Sequence, residues 1–273
     1  YGSAFFSPGT GIHHCIHIND DIFLHFPNIR KNRHMTDATG KKIEFILILL
    51  ALMVLVLLSK KLEKYASGEI VKLAEKEKKS QVIVLDAGHG GSDPGKIGVH
   101  EEKEKEINLE IALKVEKMLK KKKIKVIMTR TDDQMLDDQS DAGQKVRDLR
   151  ERVRKINGEK PVFAVSIHQN SYPDAGIHGA QVFYYRHSAE SEQAAKTMQE
   201  ALRAADIGNT RQAKANDTYY LLKRTEVPII IVECGFLSNP EEAKKLTTPE
   251  YQDDVAKAIV NGIVTCMEKW SVV

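Results

Sequence analysis

Two histidines and one glutamate occupy matching places in this chain, each where an apolar run ends: His89 after VIVLDAG, His168 after VFAVSI and Glu233 after PIIIV. Two neutral imidazoles and a carboxylate form a ligand set for catalytic zinc, with a fourth position left to water. A further carboxylate that binds no metal is then needed to take a proton from that water. Acidic candidates crowd HEEKEKEINL, where Glu101, Glu102, Glu104 and Glu106 compete and composition does not choose. Each also suits a plain helix N-terminus, where the dipole favours a negative charge without any metal. His89 taken alone is equally a loop histidine, because Gly88, Gly90 and Gly91 let the backbone turn sharply around it. The coincidence of three strand ends carries more than any one motif.

The elements that must position these groups are read from periodicity. From Gln81 onward, strand and helix patterns alternate. This predicts an α/β domain with a mainly parallel twisted sheet flanked by helices on both faces. Strands are expected from Val82 to Leu85, Val126 to Met128, Val162 to His168, Ala180 to Tyr185 and Ile229 to Val232. Ile107, Ile111, Val115 and Met118 fall at helical spacing, and further helices are expected over Lys145 to Ile156, up to about Ala205, and from Pro249 to Trp270. Parallel strands present their carboxyl ends on one edge, where ligands of open α/β sheets bind.

Composition narrows the classes. The chain has 273 residues, 42% hydrophobic and 29% charged, enough for a sizeable core and too apolar for disorder. A net charge of +3 and a pI near 8.6 do not mark a nucleic-acid binder. The run Lys120 to Lys123 reads as a solvated helix end. Cys15, Cys234 and Cys266 are too few and too scattered for a disulfide framework, and Cys234 reads as a small buried residue.

Residues 45–58, FILILLALMVLVLL, are the one membrane-type run, bracketed by Lys41, Lys42, Lys60 and Lys61. The expected organisation is an unstructured or non-native extension over 1–34, with Met35 as a start, and a signal peptide or signal anchor over 35–59. A helical linker over 60–80 and a catalytic domain over 81–273 follow. The anchor would engage the membrane through residues 43–59. His13, His14, His17 and His25 in the extension lack the frame that a metal site needs.

Seven blocks run in one order over about residues 81 to 270: DAGHGGSDPG, EKEIN before an amphipathic helix, TRTDD, DLRERVRKIN, SIHQNS, GAQVFYY and VPIIIVECGFLSNPEEAKKL. In these blocks the chain resembles the zinc-dependent N-acetylmuramoyl-L-alanine amidases of bacterial cell walls. The resemblance implies one Zn2+ per catalytic domain, held by His89, Glu104 and His168, with Glu233 as the catalytic base. Glu104 is chosen as the glutamate of an E-K-x-x-N block, and Glu102, which mimics half of that block, is the runner-up. His178 is then a loop histidine, and Asp86 and Asn170 are residues that position their neighbours. The implied reaction cleaves the amide between the lactyl group of N-acetylmuramic acid and L-alanine of the peptidoglycan stem peptide.

The segment Arg211 to Pro228 resembles the substrate-side loop of the subgroup that strips stem peptides in spore cortex so that muramic lactam can form. Glu233 follows His168 by only 65 positions, little room for the inhibitory helix of division amidases, so an external activator protein is an expected partner beside muramyl peptide. The expected location is extracytoplasmic: membrane-anchored, or secreted to the cell wall or the forespore intermembrane space. Two rivals make different demands. A zinc carboxypeptidase acting on wall peptides needs an arginine clamp, with Arg130, Arg147 and Arg152 as candidates. A non-catalytic wall-binding protein would tolerate loss of a catalytic position, and all four are intact.

Overall fold

The computed structural model describes residues 37–80, 82–137, 139 and 141–270, and the side chains of 37–39 and 69–80 are outside that description. The extension 1–34 with its histidines, and Cys15, therefore lie outside the described residues. Two units are distinguished, Tyr1–Tyr65 and Ala66–Val273. Within the first lies most of an uninterrupted helix, α1 (Asp37–Ser80), which runs through both the expected apolar segment and the expected helical linker. Its stretch Gly40–Gly68 is long and apolar enough to cross a membrane, and its leucines and valines are exposed.

The second unit holds a six-stranded sheet: β1 (Val82–Ala87), β2 (Lys125–Met128), β3 (Phe163–Asn170), β4 (Gln181–Tyr185), β5 (Lys214–Asn216) and β6 (Ile229–Phe236). The order across the sheet is β2-β1-β3-β6-β4-β5. Pairs β2·β1, β1·β3 and β3·β6 are parallel, β4 runs antiparallel to β6, and β5 is parallel to β4. Seven helices are described: α1, α2 (Glu104–Lys121), α3 (Gln144–Glu159), α4 (Ala189–Ala205), α5 (Tyr220–Arg224), α6 (Pro240–Leu246) and α7 (Pro249–Trp270).

Strand alternation sorts the side chains onto two faces. Ile83, Leu85, Phe163, Val165, Ile167, Ile230 and Val232 pack with α2, α4 and α7 in the larger core. Val84, Ala164, Ile229 and Ile231 pack on the other face with Ile156 of α3 and Leu221 and Leu222 of α5. By the same alternation, Asp86, Ser166, His168 and Glu233 belong to the α3/α5 face. The chain leaves β1 through α2 to reach β2, on one side, and returns through α3 to β3, on the other side of β1. The crossovers use opposite faces, so β1 and β3 flank a switch point whose carboxyl-end crevice is the natural ligand site.

Two expectations are corrected and one short helix is added. Glu233 sits within β6 and not beyond its end, because the backbone keeps its extended course to Phe236. Arg211 to Pro228 is not a plain loop: it contains β5 and α5, too short for the sequence pattern to reveal. The added helix is α6, N-capped by Asn239, whose side chain accepts from the amides of Glu241 and Glu242.

Candidate functional site

Parallel register places His168 of β3 directly beside Glu233 of β6. His89 lies two residues beyond β1, and Glu104 opens the first turn of α2. One ligand atom each from His89, Glu104 and His168 lies within 4.8 Å of the others, the one such group among the described residues. Glu102 is not part of it: its carboxylate accepts from the amide of His100, inside the preceding turn. His178 is also elsewhere, its carbonyl accepting from Arg211.

The donor atoms are specified by their neighbours. His89 Nδ1 lies 2.7 Å from Asp93 Oδ2, leaving Nε2 facing Glu104 Oε2 at 3.2 Å. His168 presents Nδ1 to Glu104 Oε1 at 2.9 Å. Glu104 also accepts from the amides of Lys96 and Gln169 and from Asn108 Nδ2. Burial opposes ionisation of Glu104, but the hydrogen bonds and charge of His168 and His89 hold its carboxyl far below the usual range. For His89, burial disfavours the imidazolium, yet Asp93 and Glu104 raise its pKa to about 9.

Two glycines make room for this arrangement. A Cβ on Gly88 would run into the His168 ring, and one on Gly95 would lie 2.8 Å from both Glu104 Cβ and His89 Cδ2. Gly95 also has φ +72° and Gly90 has φ +139°, while His89 itself is left-handed at φ +61°. The two imidazoles meet edge to face, with ring centroids 5.0 Å apart. The donor set and its glycine cradle thus fit a small cation with nitrogen and oxygen ligands, zinc above all.

Glu233 is built differently. It is 6% exposed, and its Oε2 has no hydrogen-bond partner among the described residues. Burial pushes its carboxyl up to about 7, helped by the nearby Glu104 charge and opposed by His168, His89 and Lys96. It lines a cavity of about 290 Å³ together with His89, Glu104, His168, Lys96 and Tyr219. Burial, with the charges of Glu233 and Glu104, raises Tyr219 to about 12, so that phenol is neutral. A buried carboxylate that titrates near neutrality and has a free oxygen is suited to take and return a proton.

The residues expected to position these groups act at different removes. Asp86 is buried under the site, where it accepts from Thr129, Ser166 and Arg152; burial works against its charge, but Arg152 and the two hydroxyls hold it at about 2. Asn170 Oδ1 accepts from the next amide, Ser171, and shapes the turn after β3. Sequence reasoning missed Asp93, Asn108 and Gln169. Asn108 lies four residues after Glu104 on α2, a spacing that marks a shared helix face and could have revealed it. Nor is any candidate clamp arginine free: Arg130 and Arg152 are buried on backbone carbonyls, and Arg147 pairs with Asp137 and Asp141.

A family model described as N-acetylmuramoyl-L-alanine amidase matches residues 83–265. A germination-specific N-acetylmuramoyl-L-alanine amidase of Bacillus subtilis is 38% identical over 227 residues, covering 82% of this chain and 94% of that protein. The chain is similar to the CwlD amidase of Clostridioides difficile, solved in complex with the GerS lipoprotein: 38% identity, TM-score 0.67, covering 69% of this chain and 99% of that one. The catalytic domain of CwlV from Bacillus (Paenibacillus) polymyxa is 32% identical with TM-score 0.61, covering 69% and 98%.

Proposed function

The chain belongs to the N-acetylmuramoyl-L-alanine amidase family and is a peptidoglycan amidase of that class, and from that premise we propose that it is zinc-dependent, with His89, Glu104 and His168 as ligands and Glu233 as the base. The observation that carries this reading is the pairing of a three-donor cluster with a buried carboxylate whose Oε2 is unpartnered beside it. Zinc, when bound, would supply a Lewis acid that polarises the scissile carbonyl and acidifies water. Glu233 accepts the proton of the attacking water and passes it to the departing L-alanine amine, a shuttle suited to a carboxyl that titrates near 7. Asp93 holds the Nδ1 proton of His89 and so presents Nε2 as the donor. No protein nucleophile is called for. Tyr219, Leu221 and Ile231 give the cavity an apolar wall that keeps the Glu233 carboxyl poorly solvated.

We also propose that the substrate is spore-cortex peptidoglycan and that an activator of the lipoprotein class assists. This is supported by the germination-specific relative and by the CwlD complex with GerS. The exposed apolar helix supports an extracytoplasmic protein held at a membrane, in keeping with action between the forespore membranes. The carboxypeptidase alternative finds no support, since every candidate clamp arginine is already engaged. Digestion of purified peptidoglycan by the detergent-solubilised chain with added zinc, followed by mass spectrometry of the released peptides, tests the reading. New N-terminal L-alanine is expected; release of C-terminal residues alone would overturn it.

A further inference from the structure

The three carbonyls that lead into the metal-facing histidine are all held by buried guanidinium groups. Arg130 donates from Nε to Ala87 O at 2.9 Å and from Nη2 to Gly88 O at 3.0 Å. Arg152 donates from Nη1 to Ala87 O at 2.7 Å and from Nη2 to His89 O at 2.6 Å. The same Arg130 Nη2 also reaches Lys105 O, at 2.7 Å, in the first turn of α2. One planar fork therefore ties the His89 turn to the turn that carries Glu104, a geometry that the single ammonium of lysine does not reproduce.

This placement brings two positive charges into the interior beside the site. Arg130 and Arg152 are 5% and 1% exposed, and each lies in the other's field. Asp86 and Asp148 offset the charge of Arg152 through bonds of 2.6 Å each. The turn that they hold is strained, with His89 at φ +61° between Gly88 and Gly90. Asp93 orients the His89 ring, and Gly90 and Asp93 exchange backbone bonds beyond it, but the carbonyls of Ala87 and His89 are held by the arginines. Asn108 adds a single bond, from Nδ2 to Gly88 O.

We propose that Arg130 and Arg152 are positioning residues that set the distance between the His89 and Glu104 donors, and thereby the zinc affinity of the site. The inference rests on the ligand assignment above and deepens it. Neither arginine touches the donors themselves; both act through the backbone of residues 87–89 and 105.

The test uses the whole chain in detergent, with zinc affinity measured by chelator competition, the visible spectrum of the cobalt-substituted protein, and the melting temperature of the metal-free protein. Arg130→Lys and Arg152→Lys are each expected to weaken zinc binding by about 10- to 100-fold, the range for outer partners of metal ligands. Each is expected to alter the cobalt spectrum while the metal-free protein still melts cooperatively. Zinc affinity within twofold of wild type in both folded variants would overturn the proposal. Should one variant fail to fold, the other decides; loss of fold in both would also overturn it, making the guanidinium groups scaffold only. His89→Ala separates the two readings: wild-type zinc affinity there sinks the ligand assignment itself, whereas its loss there with no effect in the lysine variants sinks the clamp alone.

Discussion

The ligand corner and the base adjoin one another on neighbouring strands, yet their surroundings are opposite. Glu104 lies among two imidazoles, two backbone amides and Asn108, and His89 leans on Asp93. Glu233, one strand away, faces the cavity wall formed by Ile231, Leu221 and Tyr219, with Oε2 left unpartnered. Hydrogen bonds fix position and hold a carboxylate ionised, as a ligand requires. Desolvation leaves a carboxylate near neutrality and free to exchange a proton, as a base requires. The same residue type thus serves two roles because of what surrounds it.

The largest effect should come from exchanging the roles' chemistry without changing shape. Glu233→Gln should lower turnover on peptidoglycan by about 10²- to 10⁴-fold, the usual contribution of a general base, with zinc content by metal analysis unchanged. His89→Ala should lose zinc and activity together. Full hydrolysis by Glu233→Gln would break the assignment of the base. Next in size is Gly95→Ala, whose methyl would press on both Glu104 and His89 at a left-handed position. Zinc affinity should fall by about 10-fold or more, as for other disturbed metal-site supports; chelator titration of this variant checks it.

The two regions should also titrate separately in the metal-free protein. Glu233 has a folded pKa of about 7 against an ordinary 4.5, so the neutral form is favoured by the fold and ionisation costs stability as pH rises through that window. At 1.36 kcal/mol per pH unit the full cost is roughly 3 kcal/mol above pH 7. Glu233→Gln removes it, so calorimetry should show the metal-free variant melting several degrees higher at pH 8, with little change at pH 4. His89, raised to about 9, contributes stability that is complete below 6.5 and is lost as pH rises through 9. That second step should survive in Glu233→Gln. Zinc must also displace the His89 proton below about pH 9, so affinity should weaken on acidification, with proton release detectable by titration in buffers of different ionisation heat.

Much of this was legible in the chain. Apolar runs ending in His89 and His168 located the sheet edge, and Pro249 to Trp270 coincides with α7, because long periodic segments bury one face whatever surrounds them. Glu104 could not be told from Glu101, Glu102 or Glu106 by composition; the motif order chose it, and the structure places it between the imidazoles. What escaped were short elements and long-range polar pairs. β5 has three residues and α5 five, too few for periodicity to register. Arg130 and Arg152 read as a possible substrate clamp because nothing local reveals that their partners are carbonyls 25 to 65 residues away.

The smallest effect tests how far an exposed charge tunes the base. Lys96 contributes its backbone amide to Glu104 Oε2, and its ammonium lowers the pKa of Glu233 through space. Lys96→Met keeps the first contact and deletes the second. The acid limb of the kcat/KM profile should then move upward, because Glu233 loses a favourable charge and must be ionised to act. The side chain is exposed, so solvent screens it and the move should be under about half a pH unit, shrinking further in 1 M salt. Zinc affinity should hold, since the amide to Glu104 is retained. An unmoved limb would mean that solvent screens the lysine fully, leaving burial and the charges of His168, Glu104 and His89 to set the base. A rise in zinc affinity would mean that the lysine charge reaches the ligand corner, since an ammonium repels the cation, and that one field spans the two regions.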